Sequence, residues 1–555
     1  MSVDRDILRW NGWGRRADSM ELGPARRSAV LSALAERFGA PLVAGPSAQP
    51  LEAVTMPQTR LTPVARAALE AAVGAHNVHT DAKKRAQHAA GKSFPDLLRL
   101  RTGQLERAPD AVVCPESIEA VAAALRVAEA EELVVVPFGG GTSVVGGVEP
   151  LLPAGKRAVV TLDTTRLDKL LALDEVSRTA TFEAGIDGPT LEAQLSARGY
   201  TLGHFPQSFE HSTLGGWIAA RSSGQQSDGY GGIENMLVSA RMLAPRGELT
   251  TIGVPRNAAG PDLREAILGS EGTLGVIVEA TVRIRLKPKV QDIRGMMFRD
   301  FASGVAAIRS WMDAGLPMTM MRLSDAQETD LSLLLKRDPS RAFDATATFL
   351  QGARALGYRD ERSVMLYGIE GDDSAEVKTL LRTARTLGMR HGGLPLGRGP
   401  GNSWKQERFK TPYLRDFLLD EGVAIDTMET AFSWRDLTAG HASVVSALRA
   451  ATLAHAGAGL AMGHVSHSYP DGACVYFIVL YPLTQKDRLA QWQAIKRAAT
   501  DAIVAAGGTV SHHHGVGTDH APWLVQEKGE LGMASLRALK ATLDPQGMMN
   551  PGKLV

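Results

Sequence analysis

The sequence predicts an α+β protein: a glycine-rich domain of alternating strands and helices, a second mixed domain, and helical termini. Three observations carry this. The chain has 555 residues, too many for one core when domains settle near ~100–200 residues. Between about residues 109 and 289, short Val/Ile-rich strands alternate with helices and are punctuated by glycine clusters. Beyond residue 290 helices and strands continue without such clusters. A hydrophobic content of 44% with 22% charged residues is that of an ordinary globular protein, and 61 basic against 60 acidic side chains give no ground for a nucleic-acid partner.

In chain order, residues 1–108 form a mostly helical N-terminal arm, with a helix expected over 26–38, and read as packing rather than catalysis. Residues 1–13 are charged and lack the basic-then-apolar pattern of a secretion signal. No apolar run reaches the ~18–20 residues of a membrane span, and Lys553-Leu554-Val555 is not a peroxisomal address. Cys114 and Cys474 flank no CxxC, so a reducing compartment fits. The expectation is a cytoplasmic protein that touches membranes at most peripherally. In the glycine-rich domain, Ser117 is placed to cap a helix whose apolar positions are Ile118, Val121, Ala122, Leu125 and Ala128. A buried strand over 133–136 follows. Residues 290–505 make the second domain, with a helix over 301–312 and a strand over 474–480. Residues 506–555 hold a loop, 511–517, and a helix over 532–543 stopped by Asp544-Pro545.

The strand over 133–136 runs into Pro137-Phe138-Gly139-Gly140-Gly141-Thr142-Ser143. Three glycines remove the Cβ atoms that keep backbone N–H groups from closing on a phosphate. A tight structural turn would explain a lone triplet equally well, and this is not the GxGxxG fingerprint. The loop has companions, however: Gln207-Ser208-Phe209-Glu210-His211-Ser212-Thr213, Ala220-Arg221-Ser222-Ser223, and Glu271-Gly272-Thr273-Leu274-Gly275-Val276-Ile277. In order and spacing the four segments resemble the FAD domain of the vanillyl-alcohol oxidase and p-cresol methylhydroxylase superfamily. The resemblance implies a two-subdomain FAD-binding domain over 109–289, an α+β substrate (cap) domain over 290–505, and a C-terminal segment completing the active site. The first loop would wrap the pyrophosphate, the next two would line the flavin, and the last would contact the adenosine half. The FAD is expected to be noncovalent, His211 giving no specific basis for a link.

A closer resemblance, over nearly the whole chain, is to alkyldihydroxyacetonephosphate synthases. It is carried by Arg9-Trp10-Asn11-Gly12-Trp13-Gly14, Met321-Arg322-Leu323-Ser324-Asp325, Pro412-Tyr413-Leu414-Arg415-Asp416, Tyr469-Pro470-Asp471-Gly472-Ala473-Cys474 and Ser511-His512-His513-His514-Gly515-Val516-Gly517. An internal run of three histidines must satisfy six ring nitrogens, which favours function over an exposed polar loop. The resemblance implies that Tyr469 moves protons together with His512, His513 and His514, a role that suits a phenol if neighbouring cations lower its pKa. Arg415 would hold the substrate head group and Arg322 would be a second arginine needed for activity, since guanidinium forks suit phosphate or carboxylate. It further implies a transferase that uses FAD without net redox change, exchanging the acyl group of an acyl-dihydroxyacetone phosphate for a fatty alcohol to give an ether-lipid precursor. A homodimer is expected.

Two departures stand out. Gln225-Gln226-Ser227-Asp228 and Thr518-Asp519-His520 lie where the family carries basic residues. The segment Gly463-His464-Val465-Ser466-His467 is also similar to the metal-binding segment of D-2-hydroxy-acid dehydrogenases, which would gather His464, His467 and His513. Those enzymes place a glutamate where this chain has His513, so no metal is expected. The alternative function is an FAD-dependent oxidase or dehydrogenase of a hydroxy acid or alcohol, and a third is a flavin-binding protein without catalysis.

Overall fold

In the computed structural model of the chain, residues 3–18, 23–45, 48–103, 105–336, 345–484 and 486–555 are described. The expected elements form with small extensions. The arm helix is Pro24–Phe38, buried through Val30, Leu34 and Phe38. Ser117 accepts the backbone N–H of Ala120 and caps Ile118–Ala130. The C-terminal helix begins earlier than expected, at Leu524, and bends at Gly529, whose φ of 69° breaks the helical path.

The glycine-rich domain has two parts. In the first, Ala111–Val113, Val159–Asp163 and Val134–Phe138 pair in parallel, and Val78–His79 adds an antiparallel edge. The second is an antiparallel sheet in the order Leu170–Asp174, Thr179–Glu183, Val276–Arg283, Leu237–Ala244, Gly247–Thr250. The phosphate-loop candidate leaves the C-terminal end of Val134–Phe138, where a parallel sheet opens its crevice.

The second domain is one seven-stranded antiparallel sheet, ordered Leu394–Gly397, Val290–Phe298, Ser363–Gly371, Met320–Ser324, Leu460–Ser468, Gly472–Pro482, Val423–Ser433. Strand periodicity sorts its residues into two faces. Leu323, Val465, Val475 and Phe477 turn to a core shared with the helices Phe301–Asp313, Ser374–Arg390, Leu437–Ala456 and Arg488–Ala505. The other face carries Met320, Arg322, His464, Tyr476, Ile478, Ile425 and Thr427, and it lines a cavity against the glycine-rich domain. No helix among the described residues is long and apolar enough to cross a membrane.

The N-terminal arm does more than pack. Arg5 Nε donates to Asp163 Oδ2 at 2.9 Å, and His88 Nε2 donates to the same oxygen at 2.7 Å. Arg5 also donates to the Gly139 carbonyl, and its guanidinium lies 4.8 Å from the Phe138 ring centroid. All three side chains of the triad are buried. Burial alone would lift the Asp163 pKa, yet Arg5 and His88 hold it well below the usual carboxylate range. Breaking a buried ion pair on one side leaves the partner uncompensated. Asp163→Ala is therefore expected to lower unfolding free energy by about 3–5 kcal/mol, read as the urea midpoint of the holoprotein at unchanged m-value.

Candidate active site

The cavity is walled on one side by the four glycine-bearing segments and on the other by the open face of the seven-stranded sheet, and Thr411, Pro412 and Arg415 also line it. Three strands supply its floor in register. His464 lies opposite Tyr476, and Tyr476 lies opposite Glu429. On a regular strand His464 and His467, three residues apart, would point to opposite faces. A bulge between Val465 and His467 shifts the register, so His467 pairs with Cys474 and faces the cavity beside His464.

The histidine triplet hangs over this floor on one carboxylate. Glu429 is fully buried and accepts the backbone N–H groups of His512, His513 (3.2 Å) and His514 (2.9 Å), and the Ser511 hydroxyl (2.9 Å). At the other end of the loop Glu271 accepts the N–H groups of Val516 and Gly517. Gly515 and Gly517 have φ of 89° and 52°, which lets the backbone turn back on itself between the two anchors. Burial alone would raise the Glu429 pKa. The imidazoles of His513, His514 and His512 and the N–H of His512 outweigh it and hold the carboxyl well below its usual range. At Glu271 burial wins over the two N–H donors and pushes the pKa up to about 7.

Burial brings His512, His513 and His514 each down to about 4, with Glu429 only partly opposing it. The triplet is therefore neutral at pH 7. Tyr469 Oη lies 2.7 Å from His512 Nε2, and His512 Nδ1 lies 3.0 Å from His513 Nδ1. The expectation that cations lower the Tyr469 pKa is overturned. Its ring neighbour is a neutral imidazole, and burial lifts the phenol out of the physiological range. A phenol that donates to His512 Nε2 fixes a network in which His512 Nδ1–H donates to His513, an assignment made from the hydrogen bonds.

The two arginines sit differently. Arg415 borders the cavity, its Nε has no hydrogen-bond partner and its guanidinium forms no ion pair among the described residues. Arg322 Nη2 donates to Glu328 Oε1 at 2.7 Å and leaves its remaining fork toward the cavity.

The glycine-bearing wall fits a flavin dinucleotide. The backbone N–H groups of Gly139, Gly140, Gly141, Thr142 and Ser143 have no protein acceptor among the described residues. A Cβ on Gly140 would collide with the His211 carbonyl, and one on Gly139 with the Thr213 hydroxyl. The loop is thus pressed against its neighbour with its donors turned to the cavity, the arrangement a pyrophosphate needs. Pro137 to Ser143, Gln207, Ser208, Ser212, Thr213, Ala220, Ser222, Ser223, Glu271, Gly272, Gly275, Val276 and Ile277 all line the cavity.

Six expected cofactor residues do not. Phe209 and Leu274 belong to the antiparallel-sheet core, and Thr273 donates to the Ser270 carbonyl. Glu210 is exposed, and Arg221 turns outward to pair with Glu265 at 2.7 Å. His211 lies behind the loop, edge-on to Trp13 in a recess with Arg5 and Lys92. Tyr469 and His512 are also absent from the lining, although His513 and His514 belong to it.

The trio His464, His467 and His513 does not gather, because His464 Nδ1 turns to Glu328 Oε2 at 2.9 Å. A different set of donor atoms, on His467, Cys474, His512 and His513, comes within 4.8 Å of one another, a thiol and three neutral imidazoles that could take a soft divalent cation. Sequence reasoning missed Tyr476, Glu429, Glu328 and Asp228 as site residues. Asp228, read as a lost basic position, accepts the N–H groups of Ser468 (2.7 Å) and Met321 (2.6 Å), and so pins the neighbours of Tyr469 and Arg322 to the glycine-rich domain. Burial brings its pKa up to about 7. Tyr476 and Glu328 carry no local signal, each being an isolated residue of a strand or helix.

The lowered imidazoles fix a pH dependence. Between about 6.5 when unfolded and about 4 when folded, the unfolded chain binds more protons, so stability falls as pH falls through that window. His514→Gln is expected to flatten the slope of unfolding free energy against pH by about one proton, measured by urea titrations from pH 4.5 to 7.

Residues 109–253 match the FAD binding domain family, and residues 287–554 match the C-terminal domain family of FAD linked oxidases. The chain is 37% identical over 479 residues to alkyldihydroxyacetonephosphate synthase of Dictyostelium discoideum, covering 86% of this chain and 78% of that protein. A solved structure of an alkyldihydroxyacetonephosphate synthase superposes with a TM-score of 0.83 at 31% identity over 99% of both chains. A structure of p-cresol methylhydroxylase with substrate bound, at 15% identity, shares the fold, with a TM-score of 0.66 over 88% of this chain. The chain carries an FAD-binding domain and belongs to the alkyldihydroxyacetonephosphate synthase family.

Proposed function

We propose that the protein exchanges the acyl group of an acyl-dihydroxyacetone phosphate for a fatty alcohol, releasing a fatty acid and forming an alkyl ether. The observation that carries this reading is that one cavity lining combines the Arg415 guanidinium, without an ion pair among the described residues, with the apolar Met320, Trp404, Pro412, Ile425 and Ile478. A small hydroxy acid would need the cation and not the apolar wall. A lipid with an anionic head uses both.

A flavin held noncovalently by Pro137 to Ser143 and by Gln207, Ser208, Ser212, Thr213, Ser222 and Ser223 would supply an electron-accepting ring suited to an exchange without net oxidation. Support for the noncovalent hold is the position of His211 behind the loop. Arg415 fixes the phosphate as a charge-assisted fork. His513 and His514 stand over the reacting carbon. Tyr469, kept as a phenol by burial, gives a proton through His512 and then His513, which borders the cavity, to the departing carboxylate rather than removing one. The apolar wall holds the chain and keeps water from competing with the alcohol. A lipid substrate also implies that the protein meets membranes at their surface.

With labelled fatty alcohol under anaerobic conditions, ether and free fatty acid are expected in equal amounts while the flavin absorbance stays oxidised. Stoichiometric bleaching by the substrate, without ether, would replace this reading with a dehydrogenase. Arg415→Lys, which keeps the charge and loses the fork, is expected to cut kcat/KM at least about tenfold, about 1.4 kcal/mol, chiefly through KM.

A further inference from the structure

Glu328 is buried at the site, the ring nitrogen of His464 that faces away from it borders the cavity, and neither plays a part in the steps above. We propose that His464 is the base that removes the proton from the substrate carbon between the acyl ester and the ketone, with Glu328 as its positioning residue and Arg322 as the cation beside the developing charge. This deepens the acyl-exchange reading and rests on it.

The arrangement comes from the sheet and the helix that follows it. Leu323 and Ser324 pair with Val465 and His464, which sets the end of Met320–Ser324 beside the histidine. The chain then turns into the helix Ala326–Lys336. Asp325 accepts the Glu328 N–H at 2.8 Å in that first turn, and its other oxygen accepts the Gly463 N–H at 2.7 Å, locking helix to strand. Glu328, 4% exposed, is thereby placed to accept from Arg322 Nη2 at 2.7 Å on one oxygen and from His464 Nδ1 at 2.9 Å on the other.

An ionised carboxylate only accepts hydrogen bonds, so Nδ1 of His464 carries the hydrogen and Nε2 carries the lone pair. His464 lines the cavity, and Nε2 has no protein partner among the described residues. Tyr476 stacks on the imidazole with centroids 5.1 Å apart and planes 19° apart, which restrains the ring against rotation. A base whose second nitrogen is oriented by a buried carboxylate is the recurring form of a positioned imidazole base. The other imidazoles at the site lack it: His513 Nδ1 is engaged by His512 and stands 3.8 Å from Glu429. His512 has both nitrogens engaged, by Tyr469 and His513, and His467 Nδ1 is taken by Ser227. His514 Nδ1 is 3.5 Å from Glu429, an oxygen already accepting three other donors.

In the step, the C–H bond next to the ketone breaks, its electron pair moves onto the carbonyl oxygen as an enolate, and the proton goes to Nε2. The imidazolium so formed is neutralised by Glu328. Arg322, 3.4 Å from His464 Nδ1, offers its remaining donors to the enolate oxygen. No oxidant is consumed.

The test is exchange of that hydrogen with solvent, followed by mass spectrometry on holoenzyme and acyl-dihydroxyacetone phosphate in D2O, with no fatty alcohol present. Wild type is expected to incorporate one deuterium. His464→Gln is expected to slow incorporation at least about 100-fold while keeping the oxidised flavin spectrum and substrate affinity, which separates lost chemistry from lost folding. Glu328→Gln, which keeps the side-chain shape, is expected to fall between the two. Exchange at the wild-type rate in flavin-loaded His464→Gln overturns the assignment, and loss of exchange in Tyr469→Phe alongside it moves the base to the tyrosine. A wild type that bleaches with substrate and exchanges nothing overturns the acyl-exchange reading itself, and the base assignment with it.

Discussion

A single buried carboxylate, Glu429, organises the active site. It is fully enclosed, and an isolated charge there would cost several kcal/mol, so it persists because three consecutive backbone N–H groups and a hydroxyl converge on it. Those donors belong to the C-terminal loop. The charge of a strand in the second domain therefore dictates the path of a segment more than eighty residues later in the chain. Charge-assisted hydrogen bonds of this kind are roughly twice as strong as neutral ones. Glu271 does the same from the glycine-rich domain, and the histidine loop becomes the element on which both domains agree.

Burial sets the chemistry as firmly as geometry does. The triplet imidazoles are lowered together and stay neutral, the Tyr469 phenol is raised, and the charged groups that remain at the cavity are cations or bound carboxylates. Glu328 is held at about 2, burial being outweighed by His464 and Arg322. The positive charge at the cavity wall is that of Arg322 and Arg415.

The departures from the family's basic residues find structural explanations. Gln226 donates to Glu370, Ser227 bonds His467, and Asp228 takes two backbone donors from strands of the second domain. Residues 225–228 therefore act as a clasp between domains. Asp519, at the other departure, is half-buried against the turn at Val145 and Gly146, and desolvation there pushes its pKa up to about 7.

Much of this was legible from residue order. The glycine loops announced a dinucleotide wall because only backbone without Cβ atoms can press so closely, and Ser117 announced its helix because its hydroxyl has no better partner. Tyr469, Arg322, Arg415 and the triplet were marked by their motifs. The expectation of a lowered tyrosine pKa failed because a sequence shows which groups exist and not which are buried together. The face of a strand residue was equally hidden: one bulge at residue 466 turns His467 toward the cavity and, with Glu328 arriving from another strand's following helix, makes His464 an oriented base. The chain by itself determined the cofactor wall, the elements and the reactive residue types, because these depend on local backbone chemistry. The tertiary structure alone decided protonation, orientation and partnership, because these depend on burial and on register between strands far apart in sequence.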